Sequence, residues 1–425
     1  MEFRERGRIS QEVDRAFEDE VRFLAAMVRQ ASDNPPGDCA PHAELAAREL
    51  EARGFAVERH AVSETRAAAS GMRSAVNLVV RERFGPGPVV ALSAHGDVVP
   101  PGEGWTEDPY GGAVRAGALY GRGAAVSKSD FATYGFALLA LKRARYALTG
   151  TIELHFTYDE ESGGAIGPEL LLAEGIVQPD AVIYAGFSHA IATAHKGCLH
   201  LEIEVRGRSA HAAEPWRGRD ALEAANAALA ALYAHRKTLG GRVSAVPGIG
   251  SPSLVIGTIG GGINTNVVPD RIAFRLDRRL LPEEDAGAVE RDLSALVRAA
   301  GAAEGIEIAV RRLMLAHPLV PVPSTERLAE ILRARAEAAI GAPVPVIGLP
   351  LYTDARHYAA AGIPVVIYGA GPRTLAEAGG HGADEHVRLD DLRLATRVVA
   401  ETLADLLDPE APFRLSSPGA KMRTA

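Results

Sequence analysis

The sequence has very little cysteine. Only two cysteines, Cys39 and Cys198, occur among its 425 residues. Two thiols in a chain of this length exclude a disulfide framework and are typical of a reducing compartment. Neither thiol has cysteine or histidine partners at the spacings typical of zinc sites, so the sequence predicts two buried and inert cysteines.

Long apolar runs and an excess of positive charge are also absent. No stretch of about 18 consecutive apolar residues occurs, which excludes a membrane-spanning helix. Residues 1–12 are charged and lack the apolar core of a signal peptide, so we expect a cytoplasmic protein without a membrane partner. The 46 basic and 54 acidic residues give a formal net charge of −8, which excludes nucleic-acid binding driven by bulk charge.

Aromatic residues are scarce too, at 5%, whereas glycine is abundant at 44 residues. The hydrophobic share of 47% and the charged share of 24% are those of a soluble globular protein and argue against disorder. The length predicts two or three domains. This composition favours an α/β protein, and any function must be inferred from local groups of residues.

Apolar runs that alternate with helical patterns predict a mostly parallel sheet. Residues 88–94, which contain the continuous apolar run 89–92, and residues 181–185 are as expected of strands buried on both faces. A helical pattern at 130–146 and a strand pattern at 151–158 lie between them. This alternation predicts an α/β fold in which helices flank the sheet.

The pattern changes after Lys196. Residues 199–206 alternate apolar and charged side chains, which is typical of a half-exposed strand. A helical pattern at 220–239 and strand patterns at 254–259 and 271–276 follow. These elements form an α+β unit of about 115 residues, which is the size of a domain.

We therefore predict two domains. Residues 1–196 and 316–425 form a discontinuous α/β domain, and residues 197–315 form an α+β domain inserted into it. The last ten residues, 416–425, are expected to be a disordered tail.

Several polar groups follow predicted strands, where open α/β sheets bind ligands. His95 can ligate a metal, and Asp97 can hold its second ring nitrogen. Glu160 and Glu161 belong to three consecutive carboxylates, which a cation could neutralise. Each group also has a structural explanation, such as a histidine bonded to a surface aspartate or a solvated acidic turn. The same holds for His381 in a glycine-rich loop.

Together these groups resemble a known family. The shared motifs run through the whole chain in one order: NPPGD (34–38), HGD (95–97), GWTEDPYGG (104–112), GRGA (121–124), DEESGG (159–164), RGRSAHAAEP (206–215), GGGINTNVVPD (260–270), Asp277-x-Arg279, TDAR (353–356) and His381. They resemble those of the zinc metallopeptidases and amidohydrolases that include aminoacylase, acetylornithine deacetylase, succinyl-diaminopimelate desuccinylase and glutamate carboxypeptidase.

The resemblance implies a zinc-peptidase-like α/β domain with an inserted dimerisation, or lid, domain, and hence a homodimer or higher homo-oligomer. By position, His95, Glu161 and His381 would be metal ligands. Asp97 would orient His95, and Glu160 would be the general base that activates water.

The resemblance also implies residues that contact a substrate. His211 would stabilise the tetrahedral oxyanion, while Asn266 and Arg356 would hold the polar or carboxylate end of the substrate. A guanidinium suits bidentate binding of a carboxylate. The implied reaction is hydrolysis of a C–N bond in a small carboxylate-bearing substrate, such as an N-acyl amino acid or a dipeptide.

Two acidic positions of the family pattern are changed in this sequence. Val126 stands where an aspartate usually bridges two metals, and Gly186 stands where a second acidic ligand is expected. Because a bridging carboxylate offsets the repulsion between two dications, we expect one divalent transition metal (zinc, manganese or cobalt) rather than two. Asp130 and His189 lie close enough in sequence to supply a substitute ligand.

Two other functions stay open at this point. The altered site could remove an amino group from an aromatic or heterocyclic acid by hydrolysis. The loss of two ligands would also suit a non-catalytic binding protein of the same fold. The retention of Glu160 beside a ligand set opposes this last reading, because binding alone needs no general base.

Overall fold

The computed structural model describes residues 2–374, 377–410 and 413. The predicted tail at 416–425 lies outside the described residues. The chain divides into two compact units. The first comprises Met1–Thr193, Pro321–Val346 and Asp354–Ala425, and the second comprises Ala194–Val320 and Ile347–Thr353. The second unit thus extends several residues beyond the predicted insert at both ends. It also includes a short segment further along the chain, Ile347–Thr353.

The helices have the following bounds: α1 Glu2–Arg29, α2 Ala40–Glu51, α3 Glu64–Ala69, α4 Lys128–Ala144, α5 Pro168–Ala173, α6 Ala221–Leu239, α7 Ala286–Ala300, α8 Thr325–Ile340, α9 Ala355–Ala360 and α10 Leu389–Leu406. The strands are β1 Val57–Ala61, β2 Val76–Arg83, β3 Val89–His95, β4 Ala113–Arg115, β5 Ala118–Tyr120, β6 Thr151–Thr157, β7 Ala181–Tyr184, β8 Ile191–His195, β9 Gly197–Arg206, β10 Ser253–Gly261, β11 Arg271–Leu280, β12 Glu307–Ala316, β13 Val346–Leu349, β14 Val365–Ile367 and β15 His386–Arg388.

The first unit contains strands β1-β2-β6-β3-β7-β14 of the large sheet, in this order. Its central strands β6, β3, β7 and β14 are parallel, and β1 and β2 extend one edge antiparallel. Strand β7 is buried at every residue and β3 at all but its first, as expected of central strands in a sheet covered by helices. The predicted α/β class and the mostly parallel sheet are confirmed.

Helix α4 is buried on nearly all sides, from Lys128 to Leu141. It packs against α1 and α10 and against strands β3 and β6. A helix that is apolar all round belongs inside a layer of other helices. Its first turn follows the GRGA loop, so this packing holds the loop at the carboxyl edge of the sheet.

The second unit has a four-stranded antiparallel sheet, ordered β10-β11-β9-β12. Leu199, Leu201 and Ile203 of β9 pack in one core with residues of α6 and α7. The alternate residues Glu202 and Glu204 form ion pairs with arginines of the neighbouring strands. The predicted half-exposed strand is thus confirmed.

Among the described residues, no helix is long and apolar enough to cross a membrane.

Candidate active site

The site is built where two parallel strands end. Strands β3 and β6 are neighbours, and His95 at the end of β3 is in register with Thr157 at the end of β6. The chain continues from β6 into a single 3-10 turn, Glu160–Ser162. His95 and the carboxylates of this turn therefore meet at one edge of the sheet, as ligand sites in open α/β sheets do.

Asp97 holds the parts of the site together and is fully buried. Its Oδ1 accepts a hydrogen bond from the backbone N–H of Glu160 (3.2 Å), and its Oδ2 accepts from the backbone N–H of Glu161 (3.1 Å). Asn34 Nδ2 also donates to Oδ2, at 3.0 Å. One carboxylate thus fixes the backbone of both glutamates and connects them to the NPPGD loop.

His95 is oriented by the same segment. Its Nδ1 lies 3.0 Å from the backbone oxygen of Asp97 and 3.3 Å from Asp97 Oδ1. Since both partners are acceptors, Nδ1 carries a proton, and Nε2 is the nitrogen left to bind a metal once its own proton is displaced. This is the tautomer that a metal-ligating histidine requires.

The structure places Glu161 close to the other two predicted metal ligands, His95 and His381. Ligand atoms of His95, Glu160 and Glu161 all lie within 4.8 Å of one another. His381 Nε2 lies 3.4 Å from Glu161 Oε1, and its side chain is half exposed. Two imidazoles and adjacent carboxylates are a donor set that suits a divalent transition metal.

The electrostatics of this group favour a cation. Burial raises the pKa of Glu160 well above its ordinary value. Burial alone would lower the pKa of His95, but the carboxylates of Glu160, Asp97 and Glu161 together raise it to about 10. The bond to Glu161 likewise raises the pKa of His381. The site therefore concentrates negative charge around two imidazoles, and a bound dication would offset it.

A further buried carboxylate lies beneath the glutamates. Asp354 is fully buried, and among the described residues neither of its oxygens accepts a hydrogen bond. A Cβ at Gly164 would lie 2.1 Å from Asp354 Oδ1, so only glycine fits there. Burial raises the pKa of Asp354 to about 7. In the sequence, Asp354 stands out only as part of the TDAR motif, because a buried acid cannot be distinguished from a surface acid by spacing.

Arg356, which the resemblance implies as a substrate ligand, is only 8% exposed. Its guanidinium donates to the backbone oxygen of Gly163, and its Nε has no partner among the described residues. The structure thus places Arg356 behind the turn that carries the glutamates. Its role as a substrate ligand stays a prediction.

Positions 126 and 186, where the family pattern has acidic residues, differ in the space that they leave for a side chain. Val126 is partly exposed, and its backbone N–H donates to Glu385 Oε1 at 3.1 Å. Gly186 has no space for a side chain, since a Cβ there would lie 2.3 Å from Ile367 Cγ2. Any acidic residue at 186 would therefore displace the side chain of Ile367 and lie close to the backbone nitrogen of Tyr368, 3.2 Å from the Cβ.

Both residues named as possible substitute ligands already have hydrogen-bond partners. Asp130 accepts from the backbone N–H of Ala370 (2.7 Å) and of Gly186 (3.2 Å). His189 Nε2 donates to Asp391 Oδ1 at 2.9 Å. Asp130 thus holds two loops together by their backbones, and Asp391 holds the ring of His189. Their role as substitute ligands stays a prediction.

A buried ion pair, which the sequence does not reveal, also holds the GRGA loop in place. Arg122 and Glu385 form a fully buried ion pair. Arg122 also donates to the backbone oxygen of Gly382 at 3.0 Å, beside His381. The two residues are 263 positions apart, so no local pattern could reveal the pair. It connects the loop of the missing ligand to the loop of His381.

The remaining predicted residues lie in the second unit. His211 and Asn266 are both exposed, and the segments that carry them are paired: Ala212 N–H donates to the Asn266 backbone oxygen at 3.0 Å. The Nδ1 of His211 accepts from the backbone N–H of Ala213 at 3.0 Å. The neutral ring therefore carries its proton on Nε2, which makes Nε2 the hydrogen-bond donor.

The fold and the cluster of imidazoles and carboxylates define a metal-dependent hydrolase of the α/β zinc-peptidase type. Residues 91–405 match the model of peptidase family M20/M25/M40. The chain belongs to this family and is a metal-dependent hydrolase that acts on amide C–N bonds.

Individual proteins agree with this assignment. Succinyl-diaminopimelate desuccinylase of Xanthomonas oryzae pv. oryzae is 30% identical over 389 residues, which cover 88% of this chain and 95% of the relative. The solved structure of an M20 family metallo-carboxypeptidase from Sulfolobus solfataricus aligns with a TM-score of 0.74 at 17% identity, over 90% of this chain and 98% of that one. Human carnosine dipeptidase 1 aligns with a TM-score of 0.71 at 18% identity, over 94% and 98%.

Proposed function

We propose that this protein hydrolyses the amide or peptide bond of a small substrate that carries a carboxylate, such as an N-acyl amino acid or a dipeptide. The observation that carries the proposal is the position of Glu160, a buried carboxylate beside His95 and Glu161. The names of similar proteins, a desuccinylase, a carboxypeptidase and a dipeptidase, support this substrate class.

His95, Glu161 and His381 would hold one divalent metal, which when bound polarises water and the scissile carbonyl. The proposed count is one, because Val126 offers no bridging carboxylate and the packing at Gly186 admits no acidic side chain. Zinc, manganese and cobalt all suit the donor set.

Glu160 is proposed as the general base. Its carboxylate accepts a proton from the attacking water and then delivers it to the nitrogen of the departing amine. Burial raises its pKa, which brings its proton affinity closer to that needed for both transfers. Asp97 keeps the backbone of Glu160 in place and is a positioning residue.

His211, Asn266 and Arg356 complete the proposal. The Nε2–H of His211 would donate to the oxyanion that forms when water attacks the carbonyl. Asn266 and Arg356 would bind the polar end of the substrate.

The proposal is tested by a hydrolysis screen of N-acyl amino acids, dipeptides and amino-aromatic acids, with zinc, manganese or cobalt added separately. Release of ammonia from the amino-aromatic acids would favour deamination instead. On the substrate found, Glu160→Gln should lower kcat by about 10²- to 10⁴-fold, the usual contribution of a general base. Glu174→Gln, an exposed carboxylate on the same stretch, is the matched control. Full activity in Glu160→Gln would overturn the assigned mechanism.

The metal count is tested by comparison of wild type with His95→Ala. Elemental analysis of the folded proteins should show that the variant loses one metal ion per chain. A loss of two ions would show a dinuclear site.

A further inference from the structure

The second unit contains another cluster of possible metal ligands. Cys198 and His200 lie on β9, and Asp277 lies on β11. Cys198 Sγ is 3.2 Å from His200 Nε2 and 3.5 Å from Asp277 Oδ2, and the last two atoms are 2.9 Å apart. One atom from each residue thus converges on a common point.

Strand register explains this convergence. Strands β9 and β11 are antiparallel, with His200 directly opposite Asp277. Cys198 precedes His200 by two residues, so both side chains project from the same face of the sheet. A cross-strand neighbour and a diagonal neighbour are both within reach of such side chains. The backbone pairing of the two strands therefore fixes all three side chains.

The contacts also distinguish a metal site from a nucleophile. In a catalytic triad, the nucleophile and the acid bond to different nitrogens of the histidine ring. Here Cys198 Sγ and Asp277 Oδ2 both approach Nε2 of His200. A single ring N–H cannot serve both well, whereas a metal ion at the common point would contact all three atoms.

The surroundings fit a ligand set that is open to solvent on one side. Asp277 Oδ1, the oxygen that does not face the cluster, accepts from Arg279 Nε at 3.0 Å. Outer hydrogen bonds of this kind orient metal-ligating carboxylates. Cys198 is buried, but the side chains of His200 and Asp277 are 36% and 27% exposed, which leaves a path for an ion to enter.

We propose that Cys198, His200 and Asp277 bind one zinc ion, separate from the metal of the active site, with water in the fourth position. Thiolate, imidazole and carboxylate together are ligands that zinc prefers. Zinc–ligand bonds of about 2.0–2.3 Å place tetrahedral ligand atoms about 3.3–3.6 Å apart. The two separations from Cys198 Sγ, 3.2 and 3.5 Å, are close to this range, and the 2.9 Å between His200 Nε2 and Asp277 Oδ2 would widen when the ion replaces their hydrogen bond. The ion would connect β9 to β11, and its binding releases the thiol proton of Cys198 to solvent.

Cobalt substitution tests this site independently of the catalytic one. The proposed active site contains no sulfur ligand, so a thiolate-to-cobalt absorption band in the near ultraviolet can come only from a cysteine. Purified full-length protein is stripped with a chelator and titrated with Co²⁺. We expect the band to appear and to saturate at one thiolate-bound cobalt per chain.

Variants identify the ligands. Cys198→Ser should abolish the band, while the matched control Cys39→Ser, at the other buried cysteine, should keep it. His95→Ala should also keep it, which separates this proposal from the proposed function. Zinc competition with a chromophoric chelator should show that His200→Ala and Asp277→Asn lower the affinity of this site at least about tenfold.

Two results would overturn the proposal. One is the absence of a thiolate band in wild-type protein at saturating Co²⁺. The other is a band that persists in Cys198→Ser. Because the first result is measured on the wild type, it does not depend on whether any variant folds; circular dichroism spectra check the fold of the variants.

Discussion

Four hydrogen-bond donors surround the carboxylate of Asp97, and they come from three separate segments of the chain. All of them require an acceptor. Asp97→Asn would turn an NH₂ group toward some of these donors, so the turn that carries Glu160 and Glu161 should shift.

We expect Asp97→Asn to lower metal affinity and kcat/KM by about 10- to 100-fold, the usual effect of removing a residue that orients metal ligands. Metal titration and steady-state kinetics measure the two effects. The exposed Asp14→Asn serves as the control. Unchanged metal affinity would mean that the cluster holds its geometry without Asp97.

The close packing around Gly186 predicts that a side chain at this position destabilises the protein. Because a Cβ at this position would lie 2.3 Å from Ile367 Cγ2, Gly186→Asp should destabilise the protein by about 1–3 kcal/mol, the usual cost of overpacking. Val126→Asp, at a partly exposed position, should cost much less. Chemical denaturation measures both. The cost of Gly186→Asp should be smaller in an Ile367→Ala background than in the wild type, and an equal cost in both would mean that the clash is not its cause.

At the scale of elements, the contact between α1 and α10 includes a buried acid. Glu20 on α1 is fully buried and contacts the hydroxyl of Thr396 on α10. Burial raises the pKa of Glu20 from 4.5 to about 8. Thr396 also donates to the backbone oxygen of Leu392 at 3.0 Å, so a protonated Glu20 can donate in turn to the threonine oxygen.

This contact predicts a pH-dependent stability. Since the folded-state pKa lies above that of the unfolded chain, the folded state binds more protons between about pH 4.5 and 8, and stability falls as pH rises through this window. Glu20→Gln should reduce that slope by the share of one carboxyl group, while the exposed Glu18→Gln should leave it unchanged. Thermal unfolding from pH 5 to 9 measures the difference. Equal slopes in all three proteins would contradict a buried, protonated Glu20.

The elements also show what a sequence can reveal. Buried runs such as β3 and β7 were predictable, because a strand covered on both faces must be apolar throughout. His95, Asp97 and Glu160 were found because they follow such strands. Strands of three residues, such as β4 and β15, have too few residues to show a period and were missed.

Pairs that are distant in sequence were not predictable either. His200 and Asp277 meet only because β9 and β11 are neighbours in register, 77 residues apart. The sequence therefore predicted an inert Cys198. The ion pair of Arg122 with Glu385 was not predictable for the same reason, since the two residues are 263 positions apart.

At the scale of the whole molecule, the resemblance predicts a homodimer or higher homo-oligomer. Strand β10 is an edge strand of the second sheet, and Val255, Ile259 and the nearby Ile263 are exposed apolar residues. An exposed apolar edge is a surface that pairs readily with another chain.

We expect light scattering to show a dimer or larger assembly of the wild type. The double substitution Ile259→Lys and Ile263→Lys should shift it toward monomer, because charge on an edge strand opposes pairing. Val114→Lys, at an exposed apolar residue of the first unit, is the control. A monomeric wild type at micromolar concentration would contradict the prediction.

The close packing of Gly186 against Ile367 also constrains how this metal centre can change in evolution. A chain that carries Gly186 and a full-sized Ile367 accepts an acidic residue at 186 only with a loss of stability, since the side chain would meet the isoleucine. A smaller residue at 367 would reduce that loss, but this step brings no advantage to the metal site by itself. The order of the two mutations therefore matters, and the isoleucine acts as a barrier to an acidic residue at 186.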